Sequence, residues 1–352
     1  MVEIKSVIQR VVEGETLSRE EAAATMDAVM SGHVTGAQIG ALVTALRMRG
    51  ETIDEITGFA SAMRDHALSV EIDSDERPLL DTCGTGGDHS NSFNISTTAT
   101  FVIAAAGVRI AKHGNRAASS RCGSADLLEA LGVRVELTPE QVAKSVEEVG
   151  VGFMYAPAFH PAMKYVGPTR REIGIRTVFN FLGPLTNPAG AKHQLIGVGL
   201  PEIAVKLAEV LSQLGSKRTV LVHAEEGLDE VGIVGATQIT EWDATRGTVE
   251  TSTVTPADFG LEPGRFEDIV GGDVSDNVRI TRAVLAGEDG PRRTITLMNA
   301  GAGLYAAEAA ESFADGIEIA AHMIDSGAAA RKLDELVEFT SRLEPADVRE
   351  SA

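Results

Sequence analysis

The sequence predicts an α/β protein. A small all-helical N-terminal domain covers residues 1–72, a larger α/β domain with a mostly parallel sheet covered by helices covers residues 73–345, and a polar tail follows at 346–352. Three observations carry this expectation. The first 72 residues hold helix signals and no strand pattern. From Leu79 onward, short apolar runs alternate with glycine-rich turns and helical stretches, as strands joined by helical crossovers do. The chain of 352 residues is 43% hydrophobic but only 4% aromatic, so its core must be built from small and branched aliphatics that suit close helix–sheet packing.

In the N-terminal part, Ser18 with Glu21 forms a capping box ahead of the apolar rhythm Ala22, Met26, Ala28, Val29. Gly36 opens a second helix reaching about Met48, and Thr52 with Glu55 caps a third through Ile56, Phe59, Ala60 and Met63. These helices also admit later helical additions to their bundle. In the second part, Leu79–Thr82 is a strand, followed by a helix over about Ser96–Ala106. Val108–Ala111 is the next strand, and a helix over Ser124–Leu131 ends at Gly132. Thr138, Pro139 and Gln141 cap a helix that ends at Gly150. Pro201 opens another that ends at Gly215, and Thr219–Ala224 and Thr294–Met298 read as strands.

Composition excludes several classes. No apolar run is long enough to cross a bilayer, and Met1–Lys5 lacks the start of a secretory signal, so a cytoplasmic location is expected. Two cysteines, Cys83 and Cys122, are too few for a disulfide framework and read as free thiols. The net charge of −20 argues against non-specific nucleic-acid binding, which needs lysine and arginine to release counterions. That charge fits either an ordinary solvated acidic surface or adaptation to high salt. Any phosphate must therefore be held in a local site.

Such a site is legible. Asp81-Thr82-Cys83-Gly84-Thr85-Gly86-Gly87-Asp88 places glycines where a strand ends, so backbone N–H groups can approach an anion with no Cβ in the way. Asn94-Ile95-Ser96-Thr97 then opens a helix, whose N-terminus favours phosphate, although Ser96 and Thr97 also read as plain caps. The pattern is neither a P-loop nor a dinucleotide fingerprint. A second polar turn, Lys112-His113-Gly114-Asn115-Arg116, follows the next strand and leads to Ser119, Ser120 and Gly123-Ser124-Ala125-Asp126. Two such turns in succession gather polar groups at the edge of an α/β sheet where ligands bind.

These motifs, in this order, resemble the anthranilate phosphoribosyltransferase family. The resemblance continues through His160-Pro161-Ala162-Met163, Arg170–Thr177, Phe179–Pro188 and Gly227-Leu228-Asp229-Glu230. It implies transfer of the phosphoribosyl group of phosphoribosyl diphosphate (PRPP) to the amine of anthranilate with loss of pyrophosphate, with Mg²⁺, two ions per site, as cofactor. It implies PRPP contacts from Gly84, Thr85, Gly86, Gly87, Asp88, Ser92, Asn94, Ile95, Ser96, Thr97, Lys112, His113, Gly114, Asn115, Ser119, Ser120, Gly123 and Ser124. Gly84, Asn115, His160, Met163 and Arg170 would receive anthranilate, with Arg170 favoured over Arg171 and Arg176 for the carboxylate. Ser96, Asp229 and Glu230 would hold the metal, although Asp229-Glu230 alone, in a chain this acidic, reads first as an ordinary acidic turn. No residue is required as a general base. A homodimer through the N-terminal helices is implied, without nucleic-acid or membrane partners. Two rivals are weighed against this reading: a pyrimidine nucleoside phosphorylase-like enzyme on the same scaffold, and a non-enzymatic nucleic-acid-binding paralogue.

Overall fold

A computed structural model of the chain describes residues 2–73, 77–88, 90–117 and 121–344. Ser119, Ser120 and the tail at 346–352 lie outside the described residues. Four helices come first: α1 (Ile4–Val12), α2 (Arg19–Met30), α3 (Gly36–Arg49) and α4 (Ile53–Asp65). Reciprocal capping boxes at Ser18, Thr35 and Thr52 satisfy the first N–H groups of α2, α3 and α4. Helices α2 and α4 cross closely because position 58 is glycine. A Cβ there would overlap the Arg19 carbonyl and stand 2.9 Å from both Ala22 Cβ and Ala23 N.

The remainder runs β1 (Leu79–Gly84), α5 (Ile95–Ala105), β2 (Arg109–Gly114), α6 (Ser124–Leu131), α7 (Pro139–Val149), β3 (Val151–Tyr155), α8 (Ala156–Phe159), α9 (Gly167–Ile173) and α10 (Phe179–Leu182). It continues with β4 (His193–Gly197), α11 (Ala204–Gln213), β5 (Arg218–Ala224), β6 (Thr237–Asp243) and β7 (Thr248–Val254). Four helices close it: α12 (Val274–Leu285), α13 (Pro291–Ala306), α14 (Phe313–Asp325) and α15 (Ala328–Arg342).

Among the described residues seven strands form one sheet in the order β3-β2-β1-β4-β5-β6-β7. The first five are parallel, and β6 and β7 add an antiparallel hairpin. Both faces are covered, as a parallel sheet requires. Side chains alternate accordingly: Leu195, Val220 and Val222 join the core beneath α5, α12 and α13, while Ile196, Val198 and Leu221 join the core shared with α1–α4 and α11. Val166, Val178, Phe179, Leu182 and Leu185 also enter that second core, so the segment around α9 and α10 packs with the N-terminal helices.

Topology fixes where a ligand can sit. From β1 the chain builds outward through β2 and β3, then returns to the other side of β1 for β4 and β5. The order therefore reverses between β1 and β4, and a crevice opens at their C-terminal ends.

Two expectations are corrected. Thr294–Met298 is not a strand but lies inside α13. That helix is buried almost all round, and a short apolar run buried on every side gives no periodicity to separate helix from strand. Its glycines allow backbone contact with α14: a Cβ on Gly301 would come within 2.6 Å of Ile317 Cγ1. The helix expected to open at Pro201 begins instead with one 3-10 turn, Pro201–Ile203, before α11.

Candidate active site

The crevice is built on two facing glycines. Gly84 ends β1 and pairs in register with Gly197, the last residue of β4. Asp229, from the loop after β5, lies across both. A Cβ on Gly84 would stand 2.7 Å from Asp229 Oδ2, and one on Gly197 would overlap the Asp229 carbonyl oxygen. Beyond β1 the chain turns at Gly86 (φ 67°) and Gly87 (φ 76°), left-handed conformations that favour glycine. Thr85 N–H donates to Gly197 O at 2.8 Å, and Gly199 N–H donates to Thr85 Oγ1 at 3.0 Å, which pins the loop to β4. Gly86 N–H donates to Asp229 Oδ2 at 3.1 Å.

The N-terminus of α5 faces this loop. Ser96 N–H donates to Glu230 Oε1 at 3.2 Å. Lys112, projecting from β2, is 3% exposed. Its ammonium donates to the Thr82 carbonyl oxygen, to Thr82 Oγ1 at 3.3 Å and to Ser96 Oγ at 3.4 Å. Glycine loop, helix terminus, buried cation and the Asp229-Glu230 pair, spread over 149 positions from 82 to 230 in sequence, thus meet at one sheet edge.

The electrostatics are those of a cluster short of positive charge. Burial, then the neighbouring Asp88 and Glu230, hold the Asp229 carboxyl well above the ordinary carboxylate range. Burial likewise pushes Glu230 to about 7, against the pull of Lys112. Burial also lowers the Lys112 ammonium from its usual value, opposed by Asp81. A hard divalent cation would relieve this crowding. Among the described residues no three His, Cys, Asp or Glu side chains form a closed cage. Mg²⁺ takes hard oxygen donors, and the Asp229 and Glu230 carboxylates and the Ser96 hydroxyl present such oxygens around the glycine turn and the start of α5. The donors present therefore fit the implied metal.

A second turn adjoins. Asn115 O accepts from Ser124 Oγ at 3.1 Å and from Ala125 N–H at 3.2 Å, so the turn after β2 docks on the start of α6. Gly123 N–H and Ala117 N–H both donate to Asp126 Oδ2 at 2.9 Å, and Gly114 leaves room for Ser124 Oγ. His113 and His160 meet with ring centroids 5.0 Å apart. Burial drives them to about 3 and about 4, so both rings are neutral at physiological pH. Arg170, on α9, lies over the Phe179 ring at 5.8 Å, and burial lowers its guanidinium from the usual value. Met163 is half-buried against the same core.

Not every expected residue offers a side chain. Ile95 and Thr97 are each 1% exposed, and the Ile95 N–H already donates to Phe93 O at 2.7 Å. Ser92 Oγ already accepts from Ser90 Oγ at 3.2 Å, and its backbone bridges Val270. Sequence reasoning missed three groups. Asp81, fully buried, accepts from His113 N–H at 3.1 Å and keeps Oδ2 unpartnered. Its place just before the glycines was the available signal. Arg176, set aside in favour of Arg170, donates to the Gly87 carbonyl and so braces the loop from the segment after α9. Asn277 reaches this site from 183 residues away, with no local signal at all.

Fold and site together define a two-domain glycosyl transferase. The helical bundle domain of the glycosyl transferase family matches residues 5–67, and the a/b domain of that family matches residues 76–330. An anthranilate phosphoribosyltransferase of Moorella thermoacetica is 53% identical over 334 residues, covering 95% of this chain and 97% of its own length. The crystal structure of anthranilate phosphoribosyltransferase from Thermus thermophilus superposes with a TM-score of 0.89 at 44% identity, covering 95% of this chain and 99% of the other. The Saccharomyces cerevisiae enzyme in complex with PRPP and Mg has a TM-score of 0.87 at 29% identity, covering 97% and 98%. The chain belongs to the anthranilate phosphoribosyltransferase family.

Proposed function

We propose that the chain transfers the phosphoribosyl group of PRPP to the amine of anthranilate, releasing pyrophosphate, as a step of tryptophan biosynthesis. The observation that carries this is the convergence of Gly86, Ser96, Lys112, Asp229 and Glu230 where the strand order reverses. The amine nitrogen bonds to the anomeric carbon as the bond from that carbon to the pyrophosphate oxygen breaks. The electron pair leaves with pyrophosphate, and the amine proton passes to it or to solvent. An aromatic amine is neutral at pH 7, so no general base is needed, and catalysis rests on placement and on stabilising the departing charge.

In this reading the turn Thr85–Asp88 and the side chains of Asn94 and Ser96 at the start of α5 receive the diphosphate, and Lys112 supplies a fixed positive charge. Lys112 through Gly114 and Gly123-Ser124 line the other side of PRPP. Ser96, Asp229 and Glu230 would hold Mg²⁺, in two ions per site, which when bound neutralises diphosphate charge. Arg170 takes the anthranilate carboxylate, and the neutral His113–His160 pair with Met163 and Asn115 forms the slot for its ring. We assign residues 1–72 and 73–345 to separate domains with this slot at their junction. A homodimer through the N-terminal helices is supported by the exposed Val12 and Met48. No helix among the described residues is long and apolar enough to cross a membrane. The two free thiols support a reducing, cytoplasmic setting.

Anthranilate fluorescence should fall on mixing with the protein, PRPP and Mg²⁺; an unchanged signal with folded protein overturns the assignment. Arg170→Ala should raise the KM for anthranilate far more than that for PRPP, and an equal rise in both removes Arg170 from the carboxylate.

A further inference from the structure

The turn that feeds α5 is held from outside. Asn91 has φ 52°, a left-handed conformation uncommon for a residue other than glycine. The segment just before α12 runs along the turn: Gly271 N–H donates to Asn91 O at 2.9 Å, Ser92 bridges Val270, and Phe93 N–H donates to Ile269 O at 3.0 Å. Gly271 allows this approach, since a Cβ there would stand 2.9 Å from Phe93 Cα. One side chain completes the clamp. Asn277, on α12 and 2% exposed, accepts from Asn94 N–H at 3.1 Å through Oδ1. Its Nδ2 donates to Gly272 O at 3.2 Å and Asp273 O at 2.9 Å, which fixes the amide in one orientation.

Asn94 is thereby tied at two points. Its backbone N–H goes to Asn277, and its Nδ2 donates to Cys122 O at 3.1 Å. Its Oδ1 is buried and has no partner. A buried acceptor left without a partner is costly, and a fully constrained residue with one spare oxygen is prepared to meet a ligand.

We infer that Asn277 is a positioning residue for PRPP: without touching substrate, it sets the orientation of Asn94 and of the first turn of α5. This deepens the proposed function and rests on the reading that Asn94 faces the diphosphate. A simpler role, mere packing of α12 on α5, is separable because a second buried polar link joins the same helices. Thr98 Oγ1 and Thr281 Oγ1 lie 3.0 Å apart, one turn further on.

The test compares Asn277→Ala, Asn277→Asp, Thr281→Val and Asn94→Ala by steady-state kinetics and by calorimetric titration with PRPP and Mg²⁺. Asn277→Ala should raise both the KM and the Kd for PRPP on the order of tenfold, with the anthranilate KM within about twofold. Asn277→Asp keeps the acceptor for Asn94 but loses both donors, and should fall between wild type and Ala. Thr281→Val should lower the melting temperature and leave the PRPP constants unchanged. Equal PRPP losses in Thr281→Val and Asn277→Ala, or a fall in kcat alone for Asn277→Ala, would overturn the inference. If Asn277→Ala does not fold, Asn277→Asp is held to the same criteria. If Asn94→Ala weakens PRPP binding and both Asn277 variants leave it intact, only the role of Asn277 fails. If Asn94→Ala itself binds PRPP normally, the underlying reading of this turn fails.

Discussion

Gly197→Ala is a one-carbon change whose effect can be worked from distances. In β4 the substitution suits an extended backbone, so no conformational strain opposes it. The new Cβ, however, would overlap the Asp229 carbonyl oxygen and lie 2.6 Å from its carbonyl carbon. Carbon atoms in contact settle about 3.5–4.0 Å apart and the carbonyl oxygen lies closer still, so the Asp229 backbone must retreat by at least about 1 Å. β4 cannot yield instead, because Gly197 is paired with both Gly84 and Val222. Asp229 therefore moves off the Gly86 N–H. A displacement of about 1 Å at a reacting centre costs on the order of 100-fold in rate. Overpacking adds about 1–3 kcal/mol of lost stability, too little to unfold most large domains. Turnover followed by anthranilate fluorescence, with circular dichroism to verify folding, is the assay. Gly40→Ala is the control: its Cβ would meet Ile173 Cδ1 at 3.5 Å, an ordinary contact. A folded Gly197→Ala protein with kcat within about threefold of wild type would refute the idea that the glycine pair seats Asp229.

Gly58→Ala should destabilise although alanine is the better helix former. The gain of about 1 kcal/mol in propensity is outweighed by a clash with backbone atoms of α2, and a urea midpoint above wild type would contradict this. His113 and His160 titrate near 6.5 when unfolded but at about 3 and about 4 when folded. Between those limits the unfolded chain binds protons that the folded chain refuses, so the stability these groups contribute is present above pH 6.5 and is lost as pH falls. The raised carboxyls of Asp229 and Glu230 oppose this over the same window, so the check is a difference. The loss of stability per unit of acidification between pH 6 and 5 should be smaller in His113→Gln than in wild type by about 1.2 kcal/mol, and identical slopes would show that the ring is not buried neutral. Asp229→Asn should weaken Mg²⁺-dependent turnover; an unchanged Mg²⁺ dependence removes it from the metal site. If the net charge of −20 reflects adaptation to salt, melting temperature should climb in molar KCl, and a flat response points to an ordinary acidic surface.

The sequence was most legible where chemistry is local. Ser18, Thr52 and Thr138 each cap the helix expected of them, because a capping box is complete within four residues. The glycines at 84, 86 and 87 were readable for the same reason: strand end, turn and helix start lie within one short stretch. What escaped depends on contacts between distant segments. Nothing near Asn277 signals that it will grip Asn94, and nothing local ranks Arg176 above or below Arg170 as neighbours of the loop. Thr294–Met298 misled because burial on all sides erases the helical period. The β6–β7 hairpin gave little signal because β7 is largely exposed and polar, with Thr248, Glu250, Thr251, Ser252 and Thr253 in place of an apolar alternation.

That polar strand has its own consequence. Among the described residues β7 is bonded only to β6, so it forms an outer rim of the sheet. Such rims recruit other chains when they are apolar and flat. Here Glu250 is engaged by Arg246, and hydroxyls occupy much of the remaining row, so a passing strand would have to strip water and charge to dock. The antiparallel hairpin thus serves as a selvage: it finishes that border of the sheet with a polar, exposed strand that offers another copy of the chain little to pair with.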